Sequence, residues 1–99
     1  MSNTLYFDVR GNSMFPTFKD GDSVFFEIFN DHKIKINDII VCEHPFKTDF
    51  NIIKRITKIK KNKLFVEGDN KDVSCSEDSH NFGYININKV IAIQRNWKW

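Results

Sequence analysis

Two short segments of the chain contain residue types that suit acyl transfer. The first is residues 11–17 (GNSMFPT), where Gly11 permits an unusual backbone angle and Pro16 restricts the residue before it. A sharp turn of this kind can expose the hydroxyl of Ser13 and aim backbone N–H groups at one point, as a tetrahedral oxyanion requires. An ordinary surface turn also explains these residues, so Ser13 needs a nearby base to serve as a nucleophile.

The second segment, residues 51–56 (NIIKRI), supplies a candidate base. In a strand, Ile52, Lys54 and Ile56 point to one side, which places the lysine on an apolar face. Burial disfavours the ammonium form and lowers the pKa of a lysine from about 10.4. A neutral lysine can remove the proton of a serine hydroxyl without a histidine. The alternative is that Lys54 extends from a strand edge into water, as Lys58 does further along the strand.

A polar stretch follows from Gly68-Asp69-Asn70 to residues 76–83 (SEDSHNFG). We expect a hydroxyl from this loop to hold the lysine amine in place. Its carboxylate and amide oxygens also suggest calcium, but their spacing does not match an EF-hand loop. The three histidines are not at metal-ligand spacing and there is no C-x-x-C motif. The sequence therefore predicts neither a metal nor a cofactor.

The elements that must position these segments are strands. Apolar residues recur with period two, and no amphipathic stretch is long enough for a convincing helix, apart from one turn that could follow Ser13. Turn-forming segments separate six predicted strands, at residues 5–9, 24–28, 39–42, 50–59, 64–66 and 84–93. The pattern predicts a single all-β domain over residues 1–99, a partly open, barrel-like sandwich.

Composition narrows the class of protein. The net charge is only +2, from 15 basic and 13 acidic residues, and the basic clusters lack a recognition helix, so we expect no nucleic-acid partner. Cys42 and Cys75 fit free thiols in a reducing compartment. No apolar run approaches the ~20 residues that span a bilayer, and the N-terminus lacks a signal-peptide pattern. These features predict a soluble cytoplasmic protein.

Taken in order, the segments resemble the consecutive sequence boxes of the type I signal peptidase family. The resemblance runs from about Val9 to Gly83. Residues 13–18 (SMFPTF) are similar to the nucleophile box S-M-x-P-T-L, and residues 21–24 (GDSV) continue it. The later boxes G-D-I-V-V, K-R-V and G-D-N-x-x-x-S-x-D-S-R are matched by residues 37–41 (NDIIV, followed by His44-Pro45), 54–56 (KRI) and 68–79.

The resemblance implies a role for each matched residue. Ser13 would be the nucleophile, with its backbone N–H in the oxyanion hole, and Lys54 would be the general base. Ser76 would orient the lysine amine. Because Ser76 lies eight positions after Gly68, two more than in the family pattern, Ser74 is a competing assignment.

Other matched positions would support the site. Gly11 stands where some family members place a second hydroxyl donor, so this oxyanion hole would either rely more on backbone or be weaker. Arg55 and Asp78 are expected to pair near the site, and His80 in place of the usual Arg would weaken ion pairing there. The remaining supporting positions are Met14, Pro16 and Asp69.

The typical membrane anchor and large inserted domain are not seen in this sequence. The chain is therefore similar to the soluble proteases that trim the nickel-type superoxide dismutase precursor. The resemblance also extends, in fold and Ser–Lys chemistry, to the self-cleaving domains of LexA-type repressors. It implies a serine endopeptidase that processes a protein or peptide precursor, whose extended chain pairs with a strand edge.

Two other classes of function stay open. A self-cleaving regulatory module normally carries its cleavage segment upstream of the serine, and only 12 residues precede Ser13, so cleavage in cis is not expected. The other class is a non-catalytic peptide-binding module or a peripheral subunit of a membrane signal-peptidase-like complex. Trp97 and Trp99 lie in a tail with the aromatic and basic character of a membrane interface, although a last strand capping the core explains them as well.

Overall fold

The computed structural model describes residues 3–30, 33–72, 74 and 77–94. Its strands are β1 (Thr4–Asp8), β2 (Ser23–Ile28), β3 (Ile39–Glu43), β4 (Asn51–Lys60), β5 (Lys63–Glu67), β6 (Ile85–Asn86) and β7 (Val90–Gln94). A single helical turn, α1 (Ser79–Phe82), precedes β6, and a 3-10 turn (Ile87–Lys89) separates β6 from β7. The prediction of an all-β fold is confirmed.

The seven strands form one continuous open sheet in the order β1-β2-β7-β3-β4-β5-β6, and every neighbouring pair is antiparallel. β3 is central, between β7 and β4, and its register places Ile40 opposite Lys54. Side chains on directly opposed residues of an antiparallel pair share one face of the sheet. The register therefore sets which apolar residues surround the lysine.

Both faces of β3 are buried. Ile40 and Cys42 belong to one buried cluster, and Ile39 and Val41 belong to the other, as the alternation of side chains along a strand requires. The first cluster is completed by Ile56, Leu64, Val66, Ile85, Val90 and Ile93, and the second by Met14, Phe26 and Ala92. The second cluster includes Met14, the residue that follows Ser13, so the candidate nucleophile turn is anchored in the core.

One predicted strand is interrupted, and the single turn that could follow Ser13 is present as a hydrogen-bonded turn. The last predicted strand is interrupted at the 3-10 turn, where the Asn86 side chain accepts a hydrogen bond from the Asn88 N–H at 3.0 Å. The segment after Ser13 forms a hydrogen-bonded turn, with the Phe18 N–H on the Met14 carbonyl at 3.0 Å, and not a helix. An asparagine side chain that satisfies local N–H groups competes with the strand ladder, which explains the interruption.

No helix in the described part of the chain has the length and apolar character needed to cross a membrane. The tail that carries Trp97 and Trp99 lies outside the described residues, so its predicted membrane or capping role is not addressed by the structure.

Candidate active site

Ser13 and Lys54 line the same cavity, which has a volume of about 460 Å³. Its walls are the end of β1, the turn that follows β1, and the first half of β4. Although the two residues are 41 positions apart in the sequence, the fold places them around one space.

Lys54 is almost fully buried, with 3% of the residue exposed. It lies opposite Ile40 and on the same face of β4 as Ile52 and Ile56. Burial lowers the pKa of the Lys54 amine below its ordinary value, because the charged form loses its hydration. Lys54 is also one of the residues that line the cavity.

The turn that carries Ser13 begins with a glycine in a left-handed conformation and is anchored by a buried methionine. Gly11 has φ of +79°, a left-handed conformation that favours glycine, and its N–H donates to the Asp20 carboxylate at 2.7 Å. Met14 is 1% exposed and packs in the second core cluster, whereas Pro16, after a cis peptide bond, is exposed. The half-buried Ser13 is thus held between a fixed glycine and a core side chain.

The loop after β5 clamps this turn. The Asn70 N–H donates to the Ser13 carbonyl at 2.9 Å, and the Asn70 side-chain amide donates to the Asn12 carbonyl at 2.7 Å. The Thr17 hydroxyl donates to the Asp69 carboxylate at 2.5 Å. These bonds tie both sides of the turn to one loop, so the direction of the Ser13 N–H is set by residues more than fifty positions away.

Arg55 completes the clamp from β4. Its Nε and Nη2 donate to the two oxygens of Asp69 at 2.9 and 2.8 Å, and its Nη1 donates to the Asn37 carbonyl at 2.8 Å. Burial alone would raise the pKa of Asp69, but hydrogen bonds from Arg55 and Thr17 hold it below its ordinary value. The strand that carries Lys54 therefore also fixes, through the next residue, the loop that holds Ser13.

Backbone groups of β1 point toward the cavity. The Val9 N–H donates to the carbonyl of Asp22, the residue before β2, at 2.8 Å. The odd-numbered residues of β1 therefore make the backbone hydrogen bonds to β2. Even-numbered residues direct N–H and C=O away from β2, and among them Asp8 lines the cavity. β1 is the last strand on its side of the described sheet, so this edge is open.

β4 presents a second open edge across the cavity. The His44 N–H donates to the Phe50 carbonyl at 2.8 Å, so even-numbered residues of β4 face β3. Asn51 and Ile53 direct their backbone groups to the other side, where pairing with β5 begins only at Arg55. Two stretches of strand edge thus flank the space that Ser13 and Lys54 share.

A family model described as Peptidase S24-like matches residues 1–88 of the chain. The chain belongs to the Peptidase S24-like family. This is a serine peptidase family, and it supports the LexA-type part of the resemblance. The narrower likeness to signal peptidases or to superoxide dismutase maturation proteases stays a prediction. A comparison with curated proteins found no match.

In this Peptidase S24-like chain the expected pairing of Arg55 with Asp78 is wrong. Arg55 binds Asp69, while Asp78 is the N-cap of α1 and accepts hydrogen bonds from the N–H groups of His80 at 2.9 Å and Gly68 at 3.2 Å. The His80 ring, in place of the usual Arg, also contacts Asp78, with 3.0 Å between Nδ1 and Oδ1. A helix N-terminus offers Asp78 fixed donors, which explains why it caps the helix.

Two serines, Ser76 and Ser74, are the predicted sources of the hydroxyl that orients the amine. Ser76 lies outside the described residues. The competing residue, Ser74, is exposed, and its hydroxyl donates to the Asp72 carboxylate at 2.7 Å within a local turn. Ser74 is not among the described residues that line the cavity.

Sequence reasoning missed two residues that line the cavity and a third that binds one of them. Glu77 and Lys47 both line it, and His44 reaches Glu77 from the β3–β4 connection, with 2.9 Å between Nε2 and Oε1. His44 and Glu77 are 33 positions apart, and no local pattern indicates that they meet. The only available signal was the placement of His44 directly after one of the matched boxes.

The thiol nearest to Lys54 on the sheet is not suited to nucleophilic attack. Within the described ranges, no group of three or more His, Cys, Asp or Glu side chains is placed to hold a metal ion. Cys42 is fully buried on the face of the sheet that carries Lys54, and burial raises the pKa of its thiol to about 12. A thiol with that pKa is protonated near neutral pH and is a poor nucleophile.

Proposed function

We propose that this Peptidase S24-like chain is an endopeptidase in which Ser13 is the nucleophile and Lys54 is the general base. The observation that carries the proposal is that both residues line one cavity while the lysine is withdrawn from solvent. A dyad of this kind needs its base to be neutral before the substrate is attacked. Burial, which lowers the pKa of Lys54, favours that neutral amine.

The proposed reaction has two stages, acylation of Ser13 and hydrolysis of the acyl-enzyme. The Ser13 Oγ attacks the carbonyl carbon while its proton passes to the Lys54 Nζ, and the resulting ammonium then protonates the leaving amine as the C–N bond breaks. A water molecule next attacks the acyl-enzyme, giving its proton to Lys54. The Lys54 ammonium returns a proton to the Ser13 Oγ as the ester bond breaks and the acid product leaves.

The Ser13 backbone N–H is the proposed oxyanion donor. The Asn70 side chain, bound to the Asn12 carbonyl at 2.7 Å, fixes the peptide that carries the Ser13 N–H, and the buried Met14 fixes the chain beyond it. Gly11 has no side-chain donor to add, and its own N–H is bound to Asp20. The oxyanion hole proposed here is therefore mainly backbone, and donors of this kind are effective because they do not reorganise during the reaction.

The two open strand edges suggest how a substrate binds. An extended peptide lying between β1 and β4 would pair with backbone groups of Asp8 on one side and of Asn51 and Ile53 on the other. Such strand addition recognises main chain and leaves sequence preference to side-chain pockets. We propose a protein or peptide precursor, processed in the cytoplasm, as the substrate.

A serine-directed acylating probe tests the nucleophile. We expect stoichiometric labelling of the wild type, mapped to Ser13 by peptide mass spectrometry, and none of the Ser13→Ala variant. Ser23→Ala is the matched control, because Ser23 is exposed at the start of β2 and does not line the cavity. Labelling that persists in Ser13→Ala, or a wild type that is not labelled at any pH, would remove the assignment.

Family membership favours one second candidate, self-cleavage of the LexA type. In that case the purified chain would cut itself on incubation at alkaline pH, in a reaction whose rate does not depend on protein concentration. Intact-mass measurements over time would detect the two fragments. A chain that stays whole while its Ser13 is labelled would favour cleavage of a separate substrate.

A further inference from the structure

We propose that Glu77 is a positioning residue. Held by His44 and Lys47, it pins the loop before α1 to the β3–β4 connection and places a carboxylate in the wall of the cavity that contains Lys54. The inference rests on the proposed function and identifies a part of the same site that the family boxes do not mark.

The tautomer of His44 explains how Glu77 is held. The Phe46 N–H donates to His44 Nδ1 at 3.1 Å, so this nitrogen is an acceptor and the ring proton resides on Nε2. Nε2 then donates to the Glu77 carboxylate at 2.9 Å. The His44 side chain is only 2% exposed, so this donor cannot turn to water without unpacking the ring.

Aromatic rings fix the imidazole. Phe82 and Phe50 lie 5.2 and 5.9 Å from it, measured between ring centroids, and Phe46 lies at 6.3 Å. These rings come from α1 and from the β3–β4 connection, the two segments that the hydrogen bond joins. The donor that binds Glu77 is thus itself buried, whereas the Glu77 carboxylate that accepts from it is half exposed.

Lys47 adds a second, exposed contact to Glu77. Its Nζ lies 3.2 Å from the same carboxylate oxygen and 5.2 Å from the centroid of the Phe50 ring. Hydrogen bonds from His44 and Lys47 hold the pKa of Glu77 below its ordinary value. The carboxylate is therefore charged over the whole range in which a serine–lysine pair would work.

The charge on Glu77 acts on Lys54 together with a small set of neighbours. Asp78 is the other carboxylate that favours the ammonium form against burial. Asp8, Arg10 and Lys47 also line the cavity. Removing the charge of Glu77 withdraws one stabiliser of the ammonium, so the amine should become neutral at a lower pH.

Two variants separate the effect of the hydrogen bond between His44 and Glu77 from the effect of the negative charge on Glu77. Glu77→Gln keeps an oxygen that accepts from His44 but removes the charge, whereas Glu77→Ala removes both. The Glu77 side chain is half exposed, so neither change opens the core. Glu27→Gln, on β2 and away from the cavity, is the control for loss of a surface carboxylate.

Ionisation of Lys54 should be followed directly, by an NMR titration of its Cε resonance assigned with Lys54→Met, alongside acylation of Ser13. We expect Glu77→Gln to shift the Lys54 midpoint to lower pH and to retain the plateau labelling rate within about twofold. Glu77→Ala should show the same direction of shift and a plateau lower by roughly tenfold, because the loop beside the amine is released. Glu27→Gln should match the wild type.

A Glu77→Gln midpoint equal to that of the wild type would overturn the electrostatic role. A plateau in Glu77→Ala equal to that of Glu77→Gln would overturn the positioning role. The titration does not depend on catalysis. If Glu77→Gln shifts the Lys54 midpoint although the wild type is never acylated, the role of Glu77 is supported and the proposed peptidase is overturned.

Discussion

Lys54 and Lys58 lie four residues apart on the same strand, yet their surroundings differ. Lys54 is 3% exposed between isoleucines and borders the cavity. Lys58 is exposed, with its Nζ 4.8 Å from the centroid of the Phe65 ring. A register shift in the β4–β5 ladder between Ile56 and Lys58 marks the change. Burial, and not residue type, decides which amine can act as a base.

The two halves of β4 pair with different strands. From Arg55 onward the strand pairs with β5, and Arg55 itself also pairs with β3. Residues 51–54 pair only with β3 among the described strands and leave one edge open beside Ser13. One continuous strand thus serves as scaffold at one end and as the wall of a site at the other.

The largest effect expected from this comparison concerns the two lysines. Lys54→Met should reduce the rate of Ser13 acylation by roughly a hundredfold to ten-thousandfold, the usual contribution of a general base. Lys58→Met, the matched change on the same strand, should leave the rate within about twofold. Labelling kinetics followed by mass spectrometry measure both. Equal losses in the two variants would show that the difference in burial has no catalytic meaning.

Arg55 lies at the junction of the two halves and is expected to have the next largest effect. Arg55→Lys keeps the positive charge but loses the two-pronged contact with Asp69, so the loop that clamps Ser13 should loosen. We expect acylation to slow by roughly tenfold or more, with the Lys54 midpoint little changed. The measurement is the rate of Ser13 acylation as a function of pH. An unchanged rate in Arg55→Lys would contradict the claim that the Arg55–Asp69 contact positions Ser13.

The open edge of β4 can be tested with proline. Asn51→Pro removes an N–H that faces the cavity and should slow labelling by a peptidyl probe by about tenfold, but not by a small non-peptidyl probe. Ile52→Pro removes an N–H that faces β3 and should instead lower the unfolding midpoint. If both probes lose reactivity equally in Asn51→Pro, substrate pairing at this edge is wrong.

The smallest expected effect is on stability, and its sign is opposite to that on activity. The pKa of Lys54 is lower in the folded chain than in the unfolded chain, so the unfolded chain binds more protons between the two values. Stability therefore rises with pH across that window and is reduced below it. Lys54→Met should raise the free energy of unfolding at neutral pH by about 1 kcal/mol, and Lys58→Met should not. Urea denaturation measures this free energy. A lower free energy of unfolding in Lys54→Met than in the wild type would indicate that the Lys54 amine is well solvated.

Local patterns predicted the strands, because period-two alternation reflects burial of one face and is written in consecutive residues. They made Ser13 and Lys54 candidates, through the turn chemistry around one and the isoleucines beside the other, and the resemblance to the signal peptidase boxes assigned the two roles. Contacts between distant loops could not be predicted in this way. Arg55 meets Asp69 and not Asp78 because Asp78 is taken up by α1, and this depends on where a four-residue helix begins.

The most direct test of the account compares two pH midpoints. One is the midpoint of Ser13 acylation in the wild type, and the other is the NMR titration midpoint of the Lys54 side chain. If a buried neutral lysine activates the serine, acylation rises with pH, the two midpoints coincide below the ordinary lysine pKa, and the pH-dependent step is absent in Lys54→Met. Acylation that rises with a midpoint different from that of Lys54, or that keeps its pH dependence in Lys54→Met, would contradict it.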